Sequence, residues 1–170
     1  MNRLPSKNVR VLGIAPSTRG VGFAVMEGTN TLVDWGVKTV KGDKNARSLS
    51  YVADLVTQYE PNVIALEDAW SKGTRRSSRI QDLIQEIVAL AEGENIKVKR
   101  FSRKQVRSGH FTQGRGTKHD LALNLAARFP EELGFRVPRK REPWMSEDSR
   151  MDMFDAVALA EHLLRSLESD

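Results

Sequence analysis

The sequence predicts an α/β fold in which helices flank a five-stranded mixed sheet. Three apolar segments come first, at residues 10–15, 21–27 and 31–39, and their short connections are typical of an antiparallel meander. Helix and strand patterns then alternate, which is typical of parallel strands joined by crossover helices. The predicted element order is therefore βββαβαβαα, within one domain that spans residues 1–170.

The later elements follow from hydrophobic periodicity. Predicted helices span residues 46–59, 77–92, 117–128 and 147–167, and two further strands span 62–66 and 96–101. The last helix has Ser146 as its expected N-cap. The second helix carries a continuous apolar stripe, which fits either a dimer interface or the core of the domain.

Composition and charge restrict the class of protein. Cysteine is absent, so disulfides and cysteine-ligated zinc are excluded. No segment has the length and apolarity of a signal peptide or a membrane span, so we expect no membrane association and a cytoplasmic protein, or an intracellular one of organellar or viral origin. The net charge is +5, and the segment from Lys97 to Lys118 contains no acid. Further basic clusters lie at 72–79 and 136–141, a distribution that favours a nucleic-acid partner.

Strand ends are expected to meet at one edge of this sheet. A right-handed crossover makes the fourth strand a parallel neighbour of the first. The two strands end at Ala15 and Glu67, which we therefore expect side by side. Ala15 precedes the turn Pro16-Ser17-Thr18-Arg19-Gly20, where such a strand often delivers a functional side chain.

Three carboxylates are candidates for a metal site at this edge. Glu67 ends a buried strand, and Asp152 and Asp155 share one face of the last helix because they are three residues apart. Hard divalent cations such as Mg²⁺ prefer oxygen ligands of this kind. Asp148, one turn earlier, is a tentative fourth ligand. Taken singly, the aspartates also fit a helix N-terminal turn, and Glu67 also fits an ion pair with an arginine.

Four separated motifs resemble those of RuvC-type Holliday junction resolvases, within the ribonuclease H-like superfamily. The segment from Val11 to Gly22 resembles the first strand and turn of that family, and Ile64-Ala65-Leu66-Glu67 resembles its central strand. Asp152-Met153-Phe154-Asp155-Ala156 resembles its C-terminal helix, and Gly114-Arg115-Gly116-Thr117-Lys118 its basic segment entering a helix. The resemblance covers nearly the whole chain.

The resemblance implies an endonuclease that resolves four-way DNA junctions by two-metal hydrolysis with Mg²⁺ or Mn²⁺. Glu67, Asp152 and Asp155 match three of the four family carboxylates. Ala15 stands where the family has the first-strand aspartate, so this chain is expected to bind junctions with little or no cleavage. The alanine at position 15 is explained either by a deliberate Asp→Ala substitution or by a natural binding protein that lost catalysis, and the otherwise intact motifs favour the substitution.

The resemblance also implies DNA contacts and a homodimer, because a four-way junction presents two symmetric strands. Trp70 follows the central Glu67 and matches an aromatic that stacks on an opened base, although it also fits a partly buried core position. Lys118, Arg115 and Lys104 are the expected phosphate contacts near the scissile bond, with Lys118 stabilising the developing charge. The remaining expected DNA contacts are Lys72, Arg75, Arg76, Arg103 and Arg107.

Two rival functions use the same residues. One is a ribonuclease H-like nuclease that acts on RNA, hybrids or flaps, and the other is a binding module for structured DNA without catalysis. An actin-like kinase shares a similar first hairpin, but it needs two such domains, for which 170 residues leave no room.

Overall fold

The computed structural model describes residues 9–111 and 116–169. These residues form a five-stranded sheet in the order β3-β2-β1-β4-β5. The strands are β1 (Arg10–Pro16), β2 (Gly20–Glu27), β3 (Leu32–Thr39), β4 (Val63–Glu67) and β5 (Lys97–Phe101). The first three pair antiparallel, and β4 pairs parallel with both β1 and β5. The predicted mixed sheet, with its meander and two parallel strands, is confirmed.

Six helices are present in the described part of the chain. They are α1 (Lys44–Tyr59), α2 (Ser78–Gly93), α3 (Arg103–Ser108), α4 (Lys118–Arg128), α5 (Pro130–Leu133) and α6 (Met151–Ser169). The short helices α3 and α5 were not predicted, because six and four residues are too few to show a hydrophobic period. The capping box of Ser102 and Gln105 that begins α3 was nevertheless visible in the sequence.

The prediction that the last helix begins at Glu147 with Ser146 as N-cap was wrong, because α6 begins at Met151. Before it, the Asp148 side chain accepts a hydrogen bond from the backbone N–H of Arg150 at 2.9 Å, and the Asp148 carbonyl accepts one from Met151 at 3.0 Å. This local turn satisfies the backbone without a further helical turn.

Two layers of helices cover the sheet. Helices α4 and α6 contribute to one apolar core, and α1 and α2 contribute to the other. The stripe on α2 lies in the second core, where Ile80, Leu83, Ile84 and Ile87 are buried. Of the two interpretations that the sequence left open, the structure therefore supports the core rather than a free dimer face.

Two glycines let α6 lie directly on the sheet. A Cβ at Gly13 would stand 2.2 Å from the carbonyl oxygen of Ala156, and one at Gly22 would stand 2.1 Å from that of Asp152. Any larger residue would push the helix away from β1 and β2. Gly22 is also the pairing partner of Ala15, so the close approach fixes where Asp152 meets the end of β1.

Of the helices in the described ranges, none combines the length and apolarity that a membrane span requires.

Candidate active site

The ends of β1 and β4 meet the start of α6 at one cavity. Residues Val11 and Gly13 pair with Val63 and Ala65, and the same register continued by two residues sets Ala15 beside Glu67. The cavity has a volume of about 180 Å³ and is lined by both of these residues, by the turn after β1, and by Asp152 and Asp155. The neighbourhood predicted from strand order is therefore present in the structure.

Three carboxylates in this cavity form one compact group. Ligand oxygens of Glu147, Asp152 and Asp155 all lie within 4.8 Å of one another. Glu147 was missed at the sequence level, where Asp148 was preferred on the assumption of a continuous helix. Because α6 begins only at Met151, the preceding turn brings Glu147 to the cavity instead. The Oδ2 atom of Asp148 lies 2.8 Å from Nη2 of Arg150, and the hydrogen bond from this guanidinium lowers the pKa of Asp148 to about 2.

Asp152 is the most enclosed acid of the group. Asp152 is 5% exposed, and its Oδ2 has no hydrogen-bond partner among the described residues. Burial raises the pKa of Asp152 to about 6, against a hydrogen bond from Ser17, and the negative charge of Asp155 adds to the increase. A buried acceptor oxygen without a donor needs a physical explanation, and a bound ion is one that fits an acidic group.

Lys118 forms ion pairs with the other two acids of the group. Its Nζ lies 3.0 Å from Oε1 of Glu147 and 3.3 Å from Oδ2 of Asp155. Burial lowers the pKa of Lys118, but the charges of Asp155 and Glu147 outweigh it, so the net shift is upward and the amine stays protonated. Burial raises the pKa of Asp155, and the charge of Lys118 opposes that effect.

Glu67 faces the same cavity but is not part of the three-acid group. Its Oε1 lies 3.1 Å from Nε of Arg103, and its Oε2 lies 3.6 Å from Nε of Arg76. Arg76 also donates to the carbonyl of Pro16, so it connects the ends of β4 and β1. Glu67 is thus neutralised by two guanidinium groups, which realises the ion-pair alternative left open by the sequence.

The turn after β1 contributes two polar contacts that the sequence did not reveal. Arg19 donates to the backbone carbonyl of Glu147, and its charge opposes the upward pKa shift of Asp152. Arg79 donates to the carbonyl of Ser17 at 3.1 Å. The turn is therefore held against both α2 and the segment before α6.

The predicted DNA contacts divide into two groups. Arg103, Arg107 and Lys118 line the cavity, together with the more enclosed Arg76. Lys72, Arg75 and Lys104 are exposed and do not line the cavity, and Arg115 lies outside the described residues. Trp70 is 44% exposed, with the guanidinium of Arg100 at 5.9 Å from its ring centroid. The DNA roles of all these residues stay predictions.

The acidic group fits a divalent cation on geometry and ligand chemistry. In an octahedral Mg²⁺ site, opposite oxygens stand about 4.0–4.2 Å apart, and around Ca²⁺ about 4.6–5.2 Å. The observed spread of the three oxygens, within 4.8 Å, needs at most a small adjustment. Glu147, Asp152 and Asp155 are the residues that would hold one ion. The side chain of Ala15 contributes no ligand oxygen.

Comparison with known proteins places the fold in a class. No family model matches the sequence. The structure of Thermus thermophilus RuvC superimposes with a TM-score of 0.69 at 16% identity, covering 94% of this chain and 96% of that one. A yeast mitochondrial Holliday junction resolvase superimposes with a TM-score of 0.64, also at 16% identity, covering 95% of this chain and 80% of that one. The chain therefore has the ribonuclease H-like fold of these proteins, with carboxylates at one end of its central strands.

The sequence itself matches a particular member of that class. It is 24% identical over 125 residues to the crossover junction endodeoxyribonuclease RuvC of Pelodictyon phaeoclathratiforme. The match spans 68% of this chain and 65% of the relative, slightly under two thirds of its length. The resemblance to RuvC-type Holliday junction resolvases, first indicated by the four motifs, is thereby confirmed in both sequence and fold.

Proposed function

We propose that this chain recognises four-way DNA junctions and, with alanine at position 15, binds them with little or no cleavage. The observation that carries the proposal is the site at the end of β1. A resolvase-like fold brings acids and bases together around Ala15, yet that residue offers only a methyl group. Solved relatives include T. thermophilus RuvC in complex with a Holliday junction substrate, which supports the choice of DNA.

The chemistry assigned to the site is phosphodiester hydrolysis with divalent metal ions. A bound cation would polarise the phosphate and lower the pKa of a water nucleophile. Glu147, Asp152 and Asp155 would hold that cation, and Lys118 would balance charge on the phosphate beside them. The active form needs two ions, Mg²⁺ or Mn²⁺, and the second requires an oxygen at position 15.

The assembly that suits this substrate is a homodimer. A four-way junction has two equivalent strands to cut, and two copies of the site related by a twofold axis match that symmetry. Light scattering on the free protein at micromolar concentration tests this part, and a strict monomer with and without junction DNA contradicts it.

The main experiment measures binding and cleavage separately. The chain is expected to shift a four-way junction in preference to linear duplex, in EDTA as well as in Mg²⁺, and to leave it intact. Ala15→Asp is expected to cut the junction in Mg²⁺ or Mn²⁺, whereas Ala15→Asn, of the same size but a weaker ligand, is not. Equal affinity for junction, duplex and RNA–DNA hybrid would favour the rival nuclease function. Absence of cleavage by Ala15→Asp would instead leave a binding protein.

The role of Trp70 is tested in the same assay. If Trp70 stacks on an opened base, Trp70→Ala weakens junction binding by about 5- to 150-fold, and Trp70→Phe retains most of it. Unchanged junction affinity in Trp70→Ala excludes the stacking role.

A further inference from the structure

A second cavity, lined mainly by basic residues, adjoins the acidic cavity. It has a volume of about 480 Å³ and shares Arg107, Lys118 and Glu147 with the first cavity. Its outer wall is formed by the segment between α5 and α6, residues 134–150, here called the α5–α6 loop. The loop contributes Pro138, Arg139, Lys140 and Arg141 to that wall.

The first part of the α5–α6 loop packs against the protein, and the basic residues that follow are exposed at the cavity. Val137 packs against the core, and Pro138 is buried. The guanidinium of Arg136 lies 5.9 Å from the ring centroid of Trp35 on β3. The three consecutive bases that follow, residues 139–141, are all exposed. A fixed loop that presents three adjacent positive charges beside a cavity is suited to a polyanion.

Two large aromatics are exposed on the same loop. Phe135 is 96% exposed and Trp144 is 81% exposed. Exposed bases alone also fit a solvated surface, but such a surface gives no reason to expose two aromatic rings. Exposed aromatic rings interleaved with basic side chains are the combination by which proteins hold single-stranded nucleic acid, because every nucleobase has a face on which a ring can stack.

We propose that the α5–α6 loop is a second DNA-binding surface, which holds the strand that leaves the acidic cavity. Arg139, Lys140 and Arg141 contact successive phosphates, and Trp144 stacks on an unpaired base. Because bases in a duplex are already stacked, this contact selects single-stranded or branched DNA. The inference rests on the proposed function, since it assumes that DNA enters the acidic cavity.

The test measures binding of a labelled single strand, a linear duplex and a four-way junction by fluorescence anisotropy across a range of salt concentrations. Replacing residues 139–141 with alanine is expected to reduce the salt-dependence slope by about 2 for single strands. Lys140→Ala alone weakens binding, whereas Lys41→Ala, an exposed lysine between β3 and α1, does not. Trp144→Ala weakens single-strand and junction binding by about 5- to 150-fold and leaves duplex binding unchanged, and Trp144→Phe retains most of the affinity.

The outcomes separate this inference from the proposed function. If the parent prefers the junction but the loop variants bind as the parent does, the inference is overturned and the proposed function stands. If the variants lose single-strand binding while the parent shows no junction preference, the inference stands and the proposed function fails. Binding of poly-L-glutamate through these residues as tightly as DNA would assign the surface to acidic proteins and overturn the inference. All the replaced side chains are exposed, so the variants are expected to fold.

Discussion

Introducing a carboxylate at position 15 is expected to make the stability of this protein depend strongly on divalent metal. Ala15 is buried and lines the acidic cavity close to Asp152, whose pKa is already raised to about 6. Without metal, Ala15→Asp adds another poorly partnered buried acid, which costs about 2 kcal/mol. For a chain of this size, that corresponds to a melting temperature lower by about 4–8 °C.

Metal is expected to reverse this loss. A ligand at 100 times its Kd stabilises the folded state by about 2.7 kcal/mol. If the added carboxylate tightens metal binding tenfold, the variant gains about 1.4 kcal/mol more than the parent at the same Mn²⁺ concentration. The difference in melting temperature between Mn²⁺ and EDTA should then be larger in the variant by about 3–6 °C.

Thermal unfolding in EDTA and in Mn²⁺ measures both effects on the parent and on Ala15→Asp. Ala15→Asn is the matched control, because it adds similar bulk without a charge and should respond to Mn²⁺ as the parent does. An equal response to Mn²⁺ in Ala15→Asp and the parent would refute the view that position 15 faces a metal site.

Two further predictions concern the buried ion cluster that connects α4 to α6. Glu161 is 0% exposed, and its carboxylate oxygens lie 2.9 Å from a guanidinium nitrogen of Arg128 and 3.0 Å from one of Arg165. Glu161→Gln should therefore lower the free energy of unfolding by about 2 kcal/mol, whereas the exposed control Glu92→Gln should change it by under about 0.5 kcal/mol. Equal denaturant midpoints for the two variants would contradict this. Burial, together with the charges of Arg165 and Arg128, lowers the pKa of His110 to about 4. Between about pH 4 and 6.5 the folded state therefore binds fewer protons at this residue than the unfolded state does. The free energy of unfolding should fall by about 3 kcal/mol as the pH decreases through that range. His110→Gln should remove this part of the pH dependence of denaturant unfolding, and an unchanged profile would exclude a neutral His110 as its source.

The sequence predicted the neighbourhood of the site because two general rules determine it. The right-handed crossover makes β4 the parallel neighbour of β1, and the two-residue period of strands then determines which side chains share a face. Ala15 beside Glu67 follows from those rules alone. The position of Asp152 and Asp155 on one helix face follows in the same way from helical periodicity.

The partners of these residues could not be predicted, because they depend on where short elements begin. The register Glu67↔Phe101 brings Arg103, two residues beyond β5, to Glu67 at the start of α3, a helix too short to detect by periodicity. Glu147 takes the place expected for Asp148 because a three-residue turn delays α6. A boundary error of one turn is enough to exchange one acidic ligand for its neighbour.

Under the proposed function, the charges in the acidic cavity allow a DNA phosphate to approach even though Ala15 contributes no carboxylate. Among the described residues, four carboxylates and five cationic side chains line it: Glu67, Glu147, Asp152, Asp155, Arg19, Arg76, Arg103, Arg107 and Lys118. A cavity of four acids alone would repel a phosphate unless cations were present. Here the cations outnumber the acids by one, and Lys118 and two arginines form ion pairs with three of the acids, so the lining carries no net negative charge. Under the proposed function, DNA binding depends on the protein's own cations, whereas cleavage depends on metal and on the residue at position 15.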